Sequence, residues 1–355
     1  MNHDELMDNL VNQAPDCGIG EDSDADDLID ADETTTQTPT QIHLTHSVST
    51  EQIGIRLDKL CADIFGGFSR ANLKKFIDEG QLTVNGKVVK PKYAVKVGDI
   101  LTLEAVHESH SEDLPENIDI DIIYEDEAVI IINKPAGMVV HPGAGNRTGT
   151  LVNALLYHFP KQAHLPRAGL VHRIDKDTTG LLVIARTKSA QLSLINQLKD
   201  KSVYRHYQCI ALGAVHEVLR HAQIDAPIGR HSTHRTKMAV KQTGKPALTH
   251  IVNAKYLHER YSLLDIHLKT GRTHQIRVHL SYVGHPLVGD PVYGTSPRSG
   301  LSDRQRCAIL DFGRQALHAY MLGFIHPVTG EAMKFHAPLP KDMQQLIEIL
   351  NDDTQ

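Results

Sequence analysis

Apolar positions along the chain switch between a helical and an alternating period, and the switches divide it into parts. In "GIRLDKLCADIF", Ile55, Leu57, Leu60, Cys61, Ile64 and Phe65 recur near helical spacing. "SRANLKKFIDEG" predicts a second short helix with Ser69 as N-cap and Gly80 as its stop. In "QLTVNGKVVKPKYAVKVGDILTL" the pattern turns β-like around Asn85-Gly86, a pair favoured in tight hairpin turns. Residues 51–106 therefore read as a small α/β module.

"HESHSEDLPENID", residues 107–119, is polar, contains Pro115 and has no period, so it reads as a linker. From 120 to 350 strand patterns dominate. "GLLVIART" is apolar on both faces, the mark of a buried strand, and "SVYRHYQCIALG" is another. "ALTHIVNAKYLHERYSLLDIHLKTG" predicts two long strands joined by a turn near Glu259. Helices are predicted in "SAQLSLINQLKD", capped by Ser189, in "THQIRVHLSYVG", between Thr273 and Gly284, and in "LPKDMQQLIEIL". Strands and helices do not alternate regularly and the two longest strands are consecutive. An α+β domain around a largely antiparallel mixed sheet follows.

Charge sharpens the division. The whole chain of 355 residues is formally −6, yet residues 1–40 hold twelve Asp and Glu and no Lys or Arg. The remainder has 37 basic against 31 acidic residues, about +6, which suits a polyanionic partner. Residues 1–45 are poor in large apolar side chains and are expected to be a disordered acidic tail, either merely solvating or competing with RNA for the basic body. In the small module Arg70, Lys74 and Lys75 lie along one side of the second helix, near Lys87, Lys90 and Lys92. Charge alone allows a phosphate-binding face or an ordinary solvated one.

Several chemistries find no support. The four cysteines, at 17, 61, 209 and 307, are too scattered for a disulfide framework or a paired-cysteine metal site, and read as reduced. Neither "HSTH" nor "HQIRVH" has a convincing zinc spacing, so no metal is expected. There is no GxSxG elbow and no GxxxxGK[ST] loop. No apolar run is long enough to span a bilayer and the N-terminus lacks a basic and apolar leader, so no membrane association and a cytoplasmic location are expected. What remains is "HRIDKD", residues 172–177, a polar break between two apolar runs. Taken alone, Asp175 between Arg173 and Lys176 is an ion-paired loop residue.

Motifs taken together say more. "RLDKL" and "SRANLKKFIDEGQLTVNGKVVKPKYAVKVGDIL" resemble the S4-type RNA-binding domain. "HRIDKDTTGLLVIART", "YRHYQCIALG", "KTGRTHQIRVHL" and "GHPLVGDPVYG" follow in an order that resembles the RluA family of pseudouridine synthases. "YEDEAVIIINKPAGMVVHPGAGNRTGTLVNALLYH" and "DAPIGRHSTHRTKMAVKQTGKPALTH" extend the likeness, which runs from Arg56 to Leu350. Ile174 stands where the family usually has Leu, and Thr179 where Ser is common.

The resemblance implies an enzyme that converts uridine to pseudouridine in the 23S RNA of the large ribosomal subunit or its precursor, in the helix 69 loop, during ribosome biogenesis. It implies no cofactor. Asp175 matches the catalytic aspartate, Arg277 the arginine that pairs with it, and Tyr207 the active-site tyrosine, with Tyr204 on the opposite strand face. Asp175 acts either as nucleophile at C1′ or by removing a sugar proton. Arg173 is expected to fill the space of an extruded base; Lys176, Arg272, Arg70, Lys74 and Lys75 are expected phosphate contacts. His172 either contacts backbone or packs. A monomer is expected. Competing readings are a non-catalytic RNA-binding factor of ribosome assembly, a synthase for another rRNA or tRNA site, and a hydrolase of nucleoside or phosphodiester bonds.

Overall fold

The computed structural model describes residues 40–352 except 66–69, 108–112, 144–145, 235 and 298. The acidic tail up to residue 39 and the proposed Ser69 cap lie outside the described residues.

The first module packs two helices on a three-stranded antiparallel sheet. Strand β1 (Thr40–Ser47) precedes α1 (Leu57–Ile64) and α2 (Arg70–Asp78), and β2 (Leu82–Val84) and β3 (Ile100–His107) follow, in the order β1-β3-β2. Leu57, Leu60, Cys61, Leu73 and Ile77 meet Leu82, Leu101 and Leu103 in a core of their own. Asn85 and Gly86 both have positive φ, 52° and 72°, and turn the chain from Val84 to Lys87. Strand β1 brings residues 40–45, expected to belong to the tail, into the module. It pairs with β3 along its whole length, from Thr40 opposite His107 to Ser47 opposite Ile100. Asp99 braces this end of the module by accepting from Asn85 Nδ2, Tyr93 Oη and the Lys96 amide.

The second part of the expected linker is anchored. The Glu116 amide donates to the Asn153 carbonyl, and its carboxylate accepts from the Gly149 amide. Beyond it runs a nine-stranded sheet. Its strands are β4 (Asp121–Glu125), β5 (Val129–Lys134), β6 (Thr179–Ala185), β7 (Tyr204–Leu212), β8 (Gln223–Asp225), β11 (Leu248–His258), β12 (Tyr261–Leu268), β13 (Leu317–Ile325) and β14 (Ala332–His336). Between β8 and β11, β9 (Ile228–Arg230) and β10 (Met238–Val240) form a separate two-stranded sheet. The order is β4-β5-β6-β13-β7-β12-β11-β8, with β14 beside the second half of β13. Every pairing is antiparallel except β6 with β13, so the fold is α+β with a largely antiparallel mixed sheet.

Alternate residues of the central strands feed two cores. Ile130, Ile132, Leu182, Ile184, Tyr207, Leu264 and Ile266 pack with α3 (Leu151–His158) and α5 (Gln275–Tyr282) on one face. Val129, Ile131, Leu181 and Val183 pack with α4 (Lys188–Lys199) on the other. Helix α4 is capped by Thr187, whose hydroxyl accepts from the Ala190 amide, rather than by Ser189. Helices α6 (Asp303–Asp311) and α7 (Lys341–Asn351) close the chain, with Met343, Leu346 and Leu350 buried against Ile210 and Val288. Among the described residues no helix is long and apolar enough to cross a membrane.

Candidate active site

The polar break in the sequence is a loop pinned at several points before it enters β6. Ile174, the one apolar residue of the hexad, is buried in the same core as Tyr207. His172 is 4% exposed and its Nε2 accepts the Val183 amide, so it packs against the strand. Lys134, 1% exposed at the end of β5, donates to the carbonyls of Pro135, Met138 and Lys176 at 2.7, 2.9 and 2.8 Å. Burial lowers its pKa to about 7 although Asp177 and Asp175 oppose the shift. Arg314 Nη1 donates to the Asp177 carbonyl, and the Thr178 amide to that of Asp175.

This scaffold places Asp175 at the wall of a cavity that Arg173, Tyr207, His274 and Arg277 also line. Its side chain is 18% exposed. Arg277 Nη1 donates to Asp175 Oδ2 at 2.8 Å, while Arg277 Nε and Nη2 grip Asp290 at 2.7 and 2.9 Å. Burial disfavours the guanidinium charge, but the bonds and charges of Asp290 and Asp175 outweigh it and raise the pKa of Arg277. Asp290 Oδ1 also accepts from the amides of Val292 and Tyr293. Although burial opposes it, the Arg277 pair and these amides hold the Asp290 carboxyl below its usual range.

His274 is the N-cap of α5, in a left-handed conformation with φ of 59°, and displaces Thr273 from that role. Its Nε2 lies 3.9 Å from Asp175 Oδ1 and its Nδ1 is 2.9 Å from Tyr293 Oη. The Met238 amide donates to that phenol oxygen, leaving the phenol proton for Nδ1; this assignment puts the proton of the neutral ring on Nε2, towards Asp175. Burial lowers the His274 pKa despite the nearby Asp175.

Tyr207 reaches the cavity from the middle of β7, opposite Ile266 of β12 and Ala319 of β13. Its hydroxyl has no hydrogen-bond partner among the described residues, and burial raises its pKa. Tyr204 lies on the other face, stacked on His267 with ring centroids 5.6 Å apart.

The expected phosphate contacts divide. Arg173 is exposed at the cavity rim. Lys176 is exposed but does not line the cavity. Arg272 is buried in the cavity wall, where its Nε donates to the Pro246 carbonyl. In the first module Lys74 and Lys75 are exposed, as are Lys87, Lys90 and Lys92; the side chain of Arg70 lies outside the described residues. Reading the sequence missed Lys134, Asp290 and Tyr293 as parts of the site. A signal existed for Asp290, since Asp before Pro in "GDPVYG" commonly folds back on its own amides. Among the described residues no three His, Cys, Asp or Glu side chains converge as a metal would need.

A fold with one aspartate so held and a tyrosine beside it in a basic cleft defines a class, and comparison with known proteins names it. Residues 128–282 match the family model described as RNA pseudouridylate synthase, and residues 55–101 match the S4 domain. "Ribosomal large subunit pseudouridine synthase D" of Vibrio vulnificus is 48% identical over 318 residues, 89% of this chain and 97% of that protein. The protein of the same name from Escherichia coli K12 is 48% identical over 88% of this chain and 96% of its own. Among solved structures, Human RNA Pseudouridylate Synthase Domain Containing 4 is 26% identical over 65% of this chain and 92% of its own, with a TM-score of 0.49. The chain belongs to the RNA pseudouridylate synthase family, and is an enzyme of that family with an S4 domain ahead of its catalytic domain.

Proposed function

We propose that the enzyme isomerises uridine to pseudouridine in large-subunit ribosomal RNA, the 23S RNA or its precursor, with Asp175 as the catalytic residue. Its relatives' names carry the substrate class, and the loop of helix 69 is the finer target. The observation that carries the chemistry is the carboxylate of Asp175, fixed by Arg277 on a pinned loop and facing Tyr207 in one cavity.

The reaction breaks the C1′–N1 bond, turns the uracil and joins C5 to C1′; the C5 proton is lost and N1 takes up one, so atoms and electrons balance without an oxidant. Asp175 starts it, by attack at C1′ or by removing a sugar proton. Tyr207, which lines the cavity, offers its ring to the uracil, and its hydroxyl exchanges a proton at C5. Extruding a stacked uridine costs a few kcal/mol, and Arg173 at the rim stacks its planar guanidinium in the vacated place. Lys74 and Lys75 of the S4 domain serve as outlying phosphate contacts.

The test is release of tritium from ribosomal RNA labelled at uracil C5. Release is expected without added nucleotide, and Asp175→Asn is expected to abolish it while RNA binding persists. Full release by that variant removes Asp175 from the mechanism. Mapping pseudouridine in the 23S product then decides the target loop.

A further inference from the structure

A second cavity adjoins the first; Arg173, Arg205, Gly271 and Arg272 line both. Six cations, Arg173, Lys199, Lys201, Arg205, Lys269 and Arg272, face it, and no Asp or Glu does. Like charges gathered in so small a space repel one another unless an anion sits among them. Burial, then Lys201, holds the pKa of Lys269 below its usual value.

Two buried donors in this wall have no acceptor. His172 Nε2 takes the Val183 amide, so the proton of its neutral ring is on Nδ1, and Nδ1 is buried and unpartnered. Arg205 Nε is also buried without a partner, and no carboxylate pairs with its guanidinium among the described residues. Gly271 leaves room for that guanidinium, since a Cβ there would stand 2.7 Å from Arg205 Nη1. What this wall lacks is an acceptor with negative charge.

We propose that this second cavity seats a backbone phosphate of the RNA next to the uridine held in the catalytic cavity, with Arg205 as its principal ligand and Lys201 and Lys269 flanking it. The inference rests on the reading that the Asp175 cavity receives an extruded uridine. The shared wall fits a nucleotide, whose base and neighbouring phosphates are separated by one sugar. A phosphodiester is acceptor-only and permanently anionic, and the guanidinium fork matches its geometry. Clamping that phosphate sets how far the extruded nucleotide enters.

The test scans single methylphosphonate linkages, which are neutral, along an RNA stem-loop that carries the target uridine. Binding is measured with the full-length Asp175→Asn enzyme, so that no product accumulates. One linkage beside the target is expected to weaken binding roughly tenfold, the scale of one charge-assisted hydrogen bond, and to lower the salt slope by about one phosphate. Adding Arg205→Gln should give the same loss and make binding indifferent to that linkage only. Equal responses of both proteins to every linkage overturn the proposal. If Arg205→Gln does not fold, the double replacement Lys201→Gln, Lys269→Gln takes its place, with the same coupling expected and its absence decisive. Tritium release by the wild-type enzyme from the unmodified stem-loop keeps the two readings apart. Product without coupling overturns the phosphate seat alone, and no product overturns the reading beneath it.

Discussion

One guanidinium between two carboxylates governs the site at the scale of single side chains. Arg277 gives two of its donors to Asp290 and one to Asp175, so Asp290 is a positioning residue for the arginine that fixes the carboxylate. Asp290→Asn keeps the size but removes a charge and one face of the fork. With its main anchor weakened, Arg277 shifts, and a misplacement of the order of 1 Å costs about a hundredfold in rate. The expected outcome is a kcat lowered by about that factor with KM nearly unchanged, and a lower melting temperature from the disturbed buried pair. Steady-state kinetics on the stem-loop check it; an unchanged kcat means that Arg277 is oriented without Asp290. Asp175, Tyr207 and Arg277 were legible because each stands in a segment with a distinctive order of residues, and the fold brings these distant segments to one cavity. Arg205 and Lys134 were not, although both stand in quoted segments. Their meaning depends on partners such as Lys176 and Gly271, 42 residues from Lys134 in one case, that periodicity does not pair. Arg272 shows the converse: its charge is visible in sequence, but the bond of its Nε to the Pro246 carbonyl is not.

Among elements, the critical junction is where β6 leaves the pinned loop and meets β13 in the single parallel contact of the large sheet. Gly180 makes that approach possible. Its φ of 116° is poorly accessible to other residues, and a Cβ would collide with the Ala319 backbone. Gly180→Ala is therefore expected to destabilise by at least about 3 kcal/mol, lowering the melting temperature by roughly 6 °C or more. Because Asp175 lies five residues upstream, activity should fall in parallel even below the transition. Thermal and urea unfolding measure the first effect and tritium release the second. Strands and helices were readable from period because burial on one or two faces dictates it. Strand order was not, since β6 and β13 join residues well over a hundred positions apart, as Thr179 and His318 do. Caps were also misplaced: side chains choose their amides through local geometry, and Thr187 and His274 precede or displace the residues that composition favours. Strand β1 was hidden by its acidic neighbours, though "TQIHLTH" alternates through Ile42 and Leu44.

For the whole molecule, the balance of charge hides a population of histidines that the fold keeps neutral. Burial first, and in each case a cationic or imidazole neighbour as well, lowers His141 and His206 to about 4, and His172 and His267 to about 3, from the usual 6.5. His206 and His267 are stacked, centroids 4.6 Å apart, so charging one raises the cost of charging the other. Below about pH 6.5 the unfolded chain takes up protons that the native rings refuse. The unfolded state then binds more protons than the native state, and stability falls as pH falls, through the window from about 6.5 down to 3 or 4. Above pH 6.5 both states leave these rings neutral, and the groups add no pH dependence. The melting temperature is accordingly expected to drop by several degrees between about pH 7 and 5 at fixed ionic strength. His267→Phe preserves a flat ring against His206 and Tyr204 while removing one of the refused protons and relieving its neighbour, so this variant should show a shallower slope. Scanning calorimetry of both proteins across that range measures the difference. A flat profile for the wild type means that the fold accommodates imidazolium. His172 would then bring a seventh positive charge to the phosphate cavity at mild acidity, and RNA affinity rather than stability would carry the pH dependence.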